Sequence, residues 1–136
     1  MEENKNYLLL KTALLIYAVV CIVYGIGYLI FPDFLVNLSG GEPIYYGWLR
    51  WSGGALIAFG IGAIMVFQKP KNQGIFVTTI ALGTLLAGLA LVYGWIQLEE
   101  GANIWFTALP AIVLLVLSGL LWWSRQQAKD LLKSAE

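Results

Sequence analysis

Four long apolar runs, separated by short polar segments, dominate the sequence and restrict its fold more than any other feature. Each is close to or above the roughly 20 residues that an α-helix needs to cross the hydrocarbon layer of a bilayer. They cover about residues 8–31, 45–67, 73–98 and 104–124. Because lipid offers no hydrogen-bond partner to the backbone, an open chain crosses it as helix. The sequence therefore predicts an all-α, integral membrane four-helix bundle, formed as a single domain by residues 1–136.

The composition supports a membrane protein and argues against a soluble one. Apolar residues make up 60% of the chain and charged residues 12%, against about 45–50% and about 25% in soluble domains. So few charges cannot cover a surface that faces water. The equal numbers of acidic and basic residues also argue against a nucleic-acid partner, which requires a basic surplus.

The basic residues predict the orientation of the chain. Lys69 and Lys71 separate the second and third runs, whereas Arg50 stands alone on the opposite side. The other basic residues lie near the start of the first run or after the fourth: Lys5, Lys11, Arg125, Lys129 and Lys133. Four crossings place all of them except Arg50 on one face, and the positive-inside rule makes that face cytoplasmic. We therefore predict that both termini are cytoplasmic.

The connections between the runs carry local signals of their own. The segment from Asp33 to Leu38 is too short to cross a membrane but contains apolar residues, which predicts a short interfacial helix or turn between the first two spans. Asn72 and Asn103 precede the third and fourth runs and are predicted to be their helix N-caps.

Small residues recur in the second and third runs and predict how those helices pack. In lipid, helices associate through close backbone approach at small side chains. The candidate packing residues are Gly53, Gly54, Ala58 and Gly62 in the second run and Gly83, Ala87 and Gly88 in the third. We expect the second and third helices to form the tightest contact in the bundle. The alternative is that these glycines reflect only the high glycine content of transmembrane helices.

The residues that usually carry membrane chemistry are missing from the sequence. The chain has no histidine, which removes the usual ligands of haem and zinc and the commonest general base. Its single cysteine, Cys21, lies inside an apolar run and is interpreted as a small core residue. No acidic or basic residue falls near the middle of a run, where transporters place such groups. We therefore predict no enzyme activity, no cofactor and no metal.

One polar constellation remains, around Arg50. Helical spacing puts Tyr46 and Arg50 on one face of the second helix, beside Trp51. At the end of the third helix a polar stripe contains Tyr93, Gln97 and Glu100, with Glu99 adjacent. The macrodipole disfavours acids at a helix C-terminus, so a cationic partner there would be stabilising.

Two interpretations of this constellation stay open. In the first, Arg50 and the acids form a clamp between the second and third helices. In the second, Arg50 binds a lipid phosphate, a quinone-like carbonyl or a partner's carboxylate, with Tyr46, Trp51 and Tyr93 as walls of a pocket.

Two tripeptides, Val23-Tyr24-Gly25 and Val92-Tyr93-Gly94, repeat near the same end of the first and third helices. They are consistent with a duplicated helical hairpin or with chance in a chain rich in these residues.

The order Phe31-Pro32, then Arg50-Trp51-Ser52-Gly53-Gly54-Ala55, then Lys69-Pro70 resembles a bacterial family of small four-helix membrane proteins of unknown function. The chain is more loosely similar to DoxX-like proteins. The resemblance implies a four-helix fold in a bacterial cytoplasmic membrane and, for DoxX-like members, a role beside respiratory quinone enzymes. It implies no catalytic residue. The third helix lacks an arginine that the resemblance leads us to expect.

These observations favour a non-enzymatic membrane protein that acts through helix contacts in a lipid environment. Its expected partner is a subunit of a larger membrane complex or a second copy of the chain. The alternative is a protein that binds lipid or quinone at Arg50.

Overall fold

The computed structural model describes residues 2–41, 46–98 and 100–133, and every regular element within them is an α-helix. The helices are α1 Glu2–Ile30, α2 Pro32–Ser39, α3 Gly47–Gln68, α4 Gly74–Ile96, α5 Ile104–Gln127 and α6 Lys129–Leu132. Four of them, α1, α3, α4 and α5, are long and apolar enough to cross a membrane. The predicted all-α four-helix membrane bundle is confirmed.

The first and last of the four long helices, α1 and α5, extend beyond their predicted boundaries. α1 begins at Glu2 instead of near residue 8. α5 continues to Gln127, beyond the predicted end near residue 124, with Arg125 in its last turn, where a cation is favourable. The short α6 was not predicted at all, and it buries Leu132 against the bundle.

α2 confirms that a short helix follows the first span. Pro32 starts it, where a missing N–H costs nothing, and Asp33 lies in its first turn. Gly40 ends it in the left-handed conformation, and its N–H donates to the Asn37 carbonyl oxygen. The Asn103 N–H donates to the Ser39 carbonyl oxygen at 2.8 Å, which ties the end of α2 to the start of α5. The position of α2 at a membrane surface stays a prediction.

The two predicted caps have different outcomes. The Asn103 side chain accepts a hydrogen bond from the Trp105 N–H, so it caps α5 as expected. Asn72 has a left-handed backbone, with φ of 64°, and the residue at the cap of α4 is Gln73. The prediction for Asn72 was wrong because the tight turn after Pro70 requires the conformation that asparagine tolerates better than most residues.

Packing follows the hairpins of the chain. α1 packs most extensively against α3, and α4 against α5, while α1 and α5 join the two hairpins. Among the described residues, α3 and α4 do not pack along their length. The prediction that these two helices form the tightest contact was therefore wrong.

The glycines explain this correction. A β-carbon at Gly53 would lie 2.7 Å from the Gly25 carbonyl oxygen, so this glycine admits α1 and not α4. A β-carbon at Gly88 would lie 2.9 Å from Leu115 Cδ2, so that glycine admits α5. Both glycines act in helix packing as expected, but each serves its own hairpin.

The hydrophobic core lies in one half of the bundle. One end of the bundle contains the α3–α4 connection and the last turn of α5, and we call it the Lys69 end. The opposite end contains α2 and the first turn of α3, and we call it the Arg50 end. The main buried cluster combines the middle of α1 and the first half of α4 with the second half of α3 and of α5. Its largest fully buried members are Leu10, Leu14, Val77, Ile80 and Leu121. The core is therefore concentrated towards the Lys69 end.

Candidate functional site

Most of the residues predicted around Arg50 are exposed. Arg50 lies in the first turn of α3, and Trp51 beside it is 76% exposed. Tyr93 is 67% exposed, and Gln97 and Glu100 are exposed as well. Glu99 lies outside the described residues. The aromatic rings of Trp51 and Tyr93 thus do not form the walls of an enclosed pocket.

The structure also differs from the predicted clamp between Arg50, at the start of α3, and the polar residues at the end of α4. In the described part of the chain α3 packs on α1 and not along α4, so the close contact of α3 and α4 that the clamp requires is absent there. Asp33 and Arg50 both influence the hydroxyl of Tyr46, which lies just before α3.

We call Asp33, Tyr46 and Arg50 the Tyr46 cluster. Tyr46 is half-buried, and its hydroxyl oxygen is shielded from solvent without a hydrogen-bond partner among the described residues. Burial raises the pKa of the Tyr46 hydroxyl above its usual range, and the Asp33 carboxylate raises this pKa further, whereas Arg50 lowers it. The hydroxyl therefore stays protonated at neutral pH and keeps its ability to donate.

Asp33 is the member of this cluster that the sequence prediction missed. From the sequence it was interpreted only as the start of the short segment between the first two spans. Two signals could have identified it: it follows Pro32 at a helix start, where the dipole stabilises a carboxylate, and Arg50 is the only base on that side.

The predicted small-residue stripes of α3 and α4 are largely uncovered. Nothing lies within 4 Å of a β-carbon built at Gly54 or at Gly83, and Ala58 and Ala87 are exposed. Gly62 is the exception, because a β-carbon there would lie 2.7 Å from Phe76 of α4. This is the predicted contact between the two helices, but it occurs near their connection.

Helical spacing relates these residues to one another. Gly54, Ala58 and Gly62 repeat every four residues on one side of α3. Phe76 lies seven and eleven residues before Gly83 and Ala87, so all three share one side of α4. We call the uncovered surface of these two sides the α3–α4 seam.

Hydroxyl groups near the middle of the bundle serve packing. The Ser118 hydroxyl donates to the Ala81 carbonyl oxygen at 3.0 Å and joins α5 to α4. Thr84 donates to the Ile80 carbonyl oxygen of its own helix at 2.6 Å. The hydroxyl of Tyr17, in α1, is close to Thr84 and to Cys21. No group of three or more metal-ligating side chains occurs within the described parts of the chain.

Comparison of the chain with known protein families, with curated proteins and with solved structures finds no match.

Proposed function

We propose that the chain is a non-enzymatic small membrane protein, an accessory subunit whose α3–α4 seam receives a transmembrane helix of a larger membrane complex. The observation that carries this proposal is the uncovered state of two pairs of small residues at spacing four. These are Gly54 with Ala58 and Gly83 with Ala87.

Such pairs are effective docking surfaces in lipid. Hydrophobic exclusion provides no force between helices there, so association depends on how closely two backbones approach. A glycine that its own bundle leaves open offers that approach to an outside helix. Glycines that are already covered, such as Gly53 and Gly88, do not.

The proposed subunit lies in a bacterial cytoplasmic membrane with both termini on the cytoplasmic side. The distribution of basic residues supports this orientation, because Lys69, Lys71 and Arg125 share one end of the bundle and Arg50 is at the other.

Native mass spectrometry after gentle extraction tests the proposal. We expect a stoichiometric protein partner with the wild type, and at least tenfold less partner with Gly54→Leu or Gly83→Leu, whose side chains would fill the seam. Gly119→Leu is the matched control, since Gly119 of α5 also has nothing within 4 Å of its β-carbon but lies outside the seam. Self-association with the same sensitivity would identify a second copy as the partner.

The proposal fails if all three leucine variants keep the partner equally, or if Gly119→Leu loses as much partner as the other two. The first result would mean that the seam is not used. The second would mean that any added bulk on the bundle disturbs assembly.

The Tyr46 cluster supports a second candidate, a protein that binds lipid or quinone at the Arg50 end. The shielded Tyr46 hydroxyl and the Arg50 guanidinium offer donors to a ligand oxygen, and the Asp33 carboxylate of the same cluster favours an uncharged carbonyl over a phosphate. In the same mass spectra, a retained small molecule that is lost in Arg50→Ala, with normal folded yield, would favour this function. Loss of folded yield would identify Arg50 as a structural residue.

A further inference from the structure

A cleft at the Lys69 end gathers basic side chains from the end of the chain. Its volume is about 340 Å³, and it is formed by the start of α4, the end of α5, and α6. The lining residues are Asn72, Gly74, Ile75, Arg125, Gln126, Lys129, Leu132 and Lys133. Among these described residues three are basic and none is acidic, so this part of the lining is positive.

Arg125 is held in place at the wall of this cleft. Its Nε–H donates to the Thr78 hydroxyl at 2.5 Å, and its guanidinium lies 5.6 Å from the centre of the Trp122 ring. Thr78 in turn donates to the Gly74 carbonyl oxygen at 2.7 Å. The bond to Thr78 uses only one of the five N–H groups of the guanidinium, and the others are on its two Nη atoms. Arg125 is therefore oriented before any ligand arrives.

Lys129 and Lys133 add two flexible cations to this fixed one. They follow Arg125 at intervals of four residues, and the turn at Ala128 between α5 and α6 brings both of them to the same cleft. Each is exposed, so its ammonium group stays hydrated until a ligand binds. Asp130, the acid between them, is not part of the lining.

The start of α4 adds to the positive potential of the cleft. Gly74 and Ile75 belong to its first turn, where backbone N–H groups have no partner within the helix. No acidic side chain lies in that turn, and no side chain caps it. The dipole of the helix therefore reinforces the three side-chain cations.

We propose that this cleft is a phosphate site that binds the headgroup of an anionic glycerophospholipid. The volume is near the lower end of the range for ligand pockets, which suits a headgroup and not a complete lipid. The cleft is at the end of two membrane-spanning helices and beside Trp122, at the level where headgroups lie. This site does not depend on a partner helix at the seam.

A pair of double variants tests the site against general surface charge. Lys129→Gln with Lys133→Gln removes two cations from the cleft. Lys69→Gln with Lys71→Gln, the matched control, removes two cations from the same end of the bundle, outside the lining. All four lysines are exposed, so neither change disturbs the core. The probe is a short-chain phosphatidylglycerol, compared with a phosphatidylcholine of the same chain length, and bound lipid is measured by native mass spectrometry.

We expect phosphatidylglycerol to bind at least about 25-fold more weakly to the cleft variant than to the wild type, since each lysine that bonds the phosphate directly contributes at least about fivefold. The control variant should change binding by less than about threefold, and phosphatidylcholine should bind weakly to all three proteins. Equal losses in both variants, or equal binding of both lipids to the wild type, would overturn the proposal. Inorganic phosphate is tested as a competitor in the same experiment. If it displaces phosphatidylglycerol at low millimolar concentration, the cleft binds soluble phosphate, and the proposal of a lipid headgroup is rejected.

Discussion

The two hairpins and the seam between them use their small residues in opposite ways. Gly53 and Gly54 are consecutive in α3, yet a β-carbon at Gly53 would meet the backbone of α1 and a β-carbon at Gly54 would meet nothing. Gly88 and Gly83 of α4 show the same contrast, one against Leu115 of α5 and the other open. A glycine in a membrane helix therefore marks an interface only when its direction is known as well as its position.

The contrast also bears on the repeated tripeptides. Gly25 approaches Gly53 and Ile57 of α3, and a β-carbon at Gly94 would lie 4.0 Å from Thr107 of α5. Each of these glycines thus faces the other helix of its own hairpin. This equivalence is what a duplicated hairpin predicts, and it is consistent with two tight hairpins joined by the contact between α1 and α5.

The largest expected effect is at the hairpin glycine of α3. In Gly53→Ala, the added methyl group would lie 2.7 Å from the Gly25 carbonyl oxygen and 2.8 Å from the Leu29 nitrogen. Both neighbours are backbone atoms, which cannot move without displacing α1. We expect the free energy of unfolding to fall by about 3 kcal/mol, at the upper end of the usual cost of overpacking. Reversible unfolding in mixed micelles, followed by circular dichroism, measures it.

Gly54→Ala is the control for this substitution. The added methyl group has open space, and alanine has the better helix propensity, so the free energy of unfolding should stay the same or rise by up to about 1 kcal/mol. A similar loss in Gly53→Ala and Gly54→Ala would show that the seam is as closely packed as the hairpin. The contrast drawn above would then be invalid.

Gly88→Ala should reduce stability less than Gly53→Ala, because the added methyl group would meet a side chain and not a backbone. In Gly88→Ala the nearest atoms are Cδ2 and Cγ of the Leu115 side chain, at 2.9 and 3.0 Å, and the nearest backbone atom is the Leu115 nitrogen at 3.3 Å. A leucine side chain can rotate away, so we expect a loss of about 1–2 kcal/mol. Gly83→Ala should be neutral within about 0.5 kcal/mol.

A double variant identifies the source of the Gly88→Ala loss. Adding Leu115→Ala removes the side chain that obstructs the new methyl group, so its cost should be smaller in the Gly88→Ala background than in the wild type. If the two substitutions are simply additive, the loss does not arise from this contact.

The membrane spans could be predicted from the sequence because they depend on local properties. Run length, apolar content and the residues at the connections are all visible in the chain, as the cap at Asn103 shows. The pairing of helices could not be predicted in the same way. Gly53 and Gly54 give the same compositional signal, and a turn of 100° between them decides which one meets α1.

The candidate sites show the same limit. The sequence identified Arg50 as the only base on its side, but the presence of Asp33 near Tyr46 depends on how α2 folds back. The basic residues after the fourth span were interpreted only as an orientation signal. Their gathering into one cleft depends on α6, which no apolar run indicated.

The smallest expected effect tests whether a polar contact contributes as much as backbone approach to the hairpin of α4 and α5. Ser118→Ala removes the hydrogen bond to the Ala81 carbonyl oxygen, the described side-chain bond that joins the middles of these helices. Such bonds in membranes are worth about 0.6 kcal/mol on average, so the loss should be well below that of Gly88→Ala.

Ser52→Ala is the matched control, because the Ser52 hydroxyl bonds the Trp48 carbonyl oxygen of its own helix. If Ser118→Ala costs more than Gly88→Ala under the same unfolding conditions, hydrogen bonding and not close backbone approach holds this hairpin together. The contrast between the hairpins and the seam would then have to be restated in terms of polar contacts.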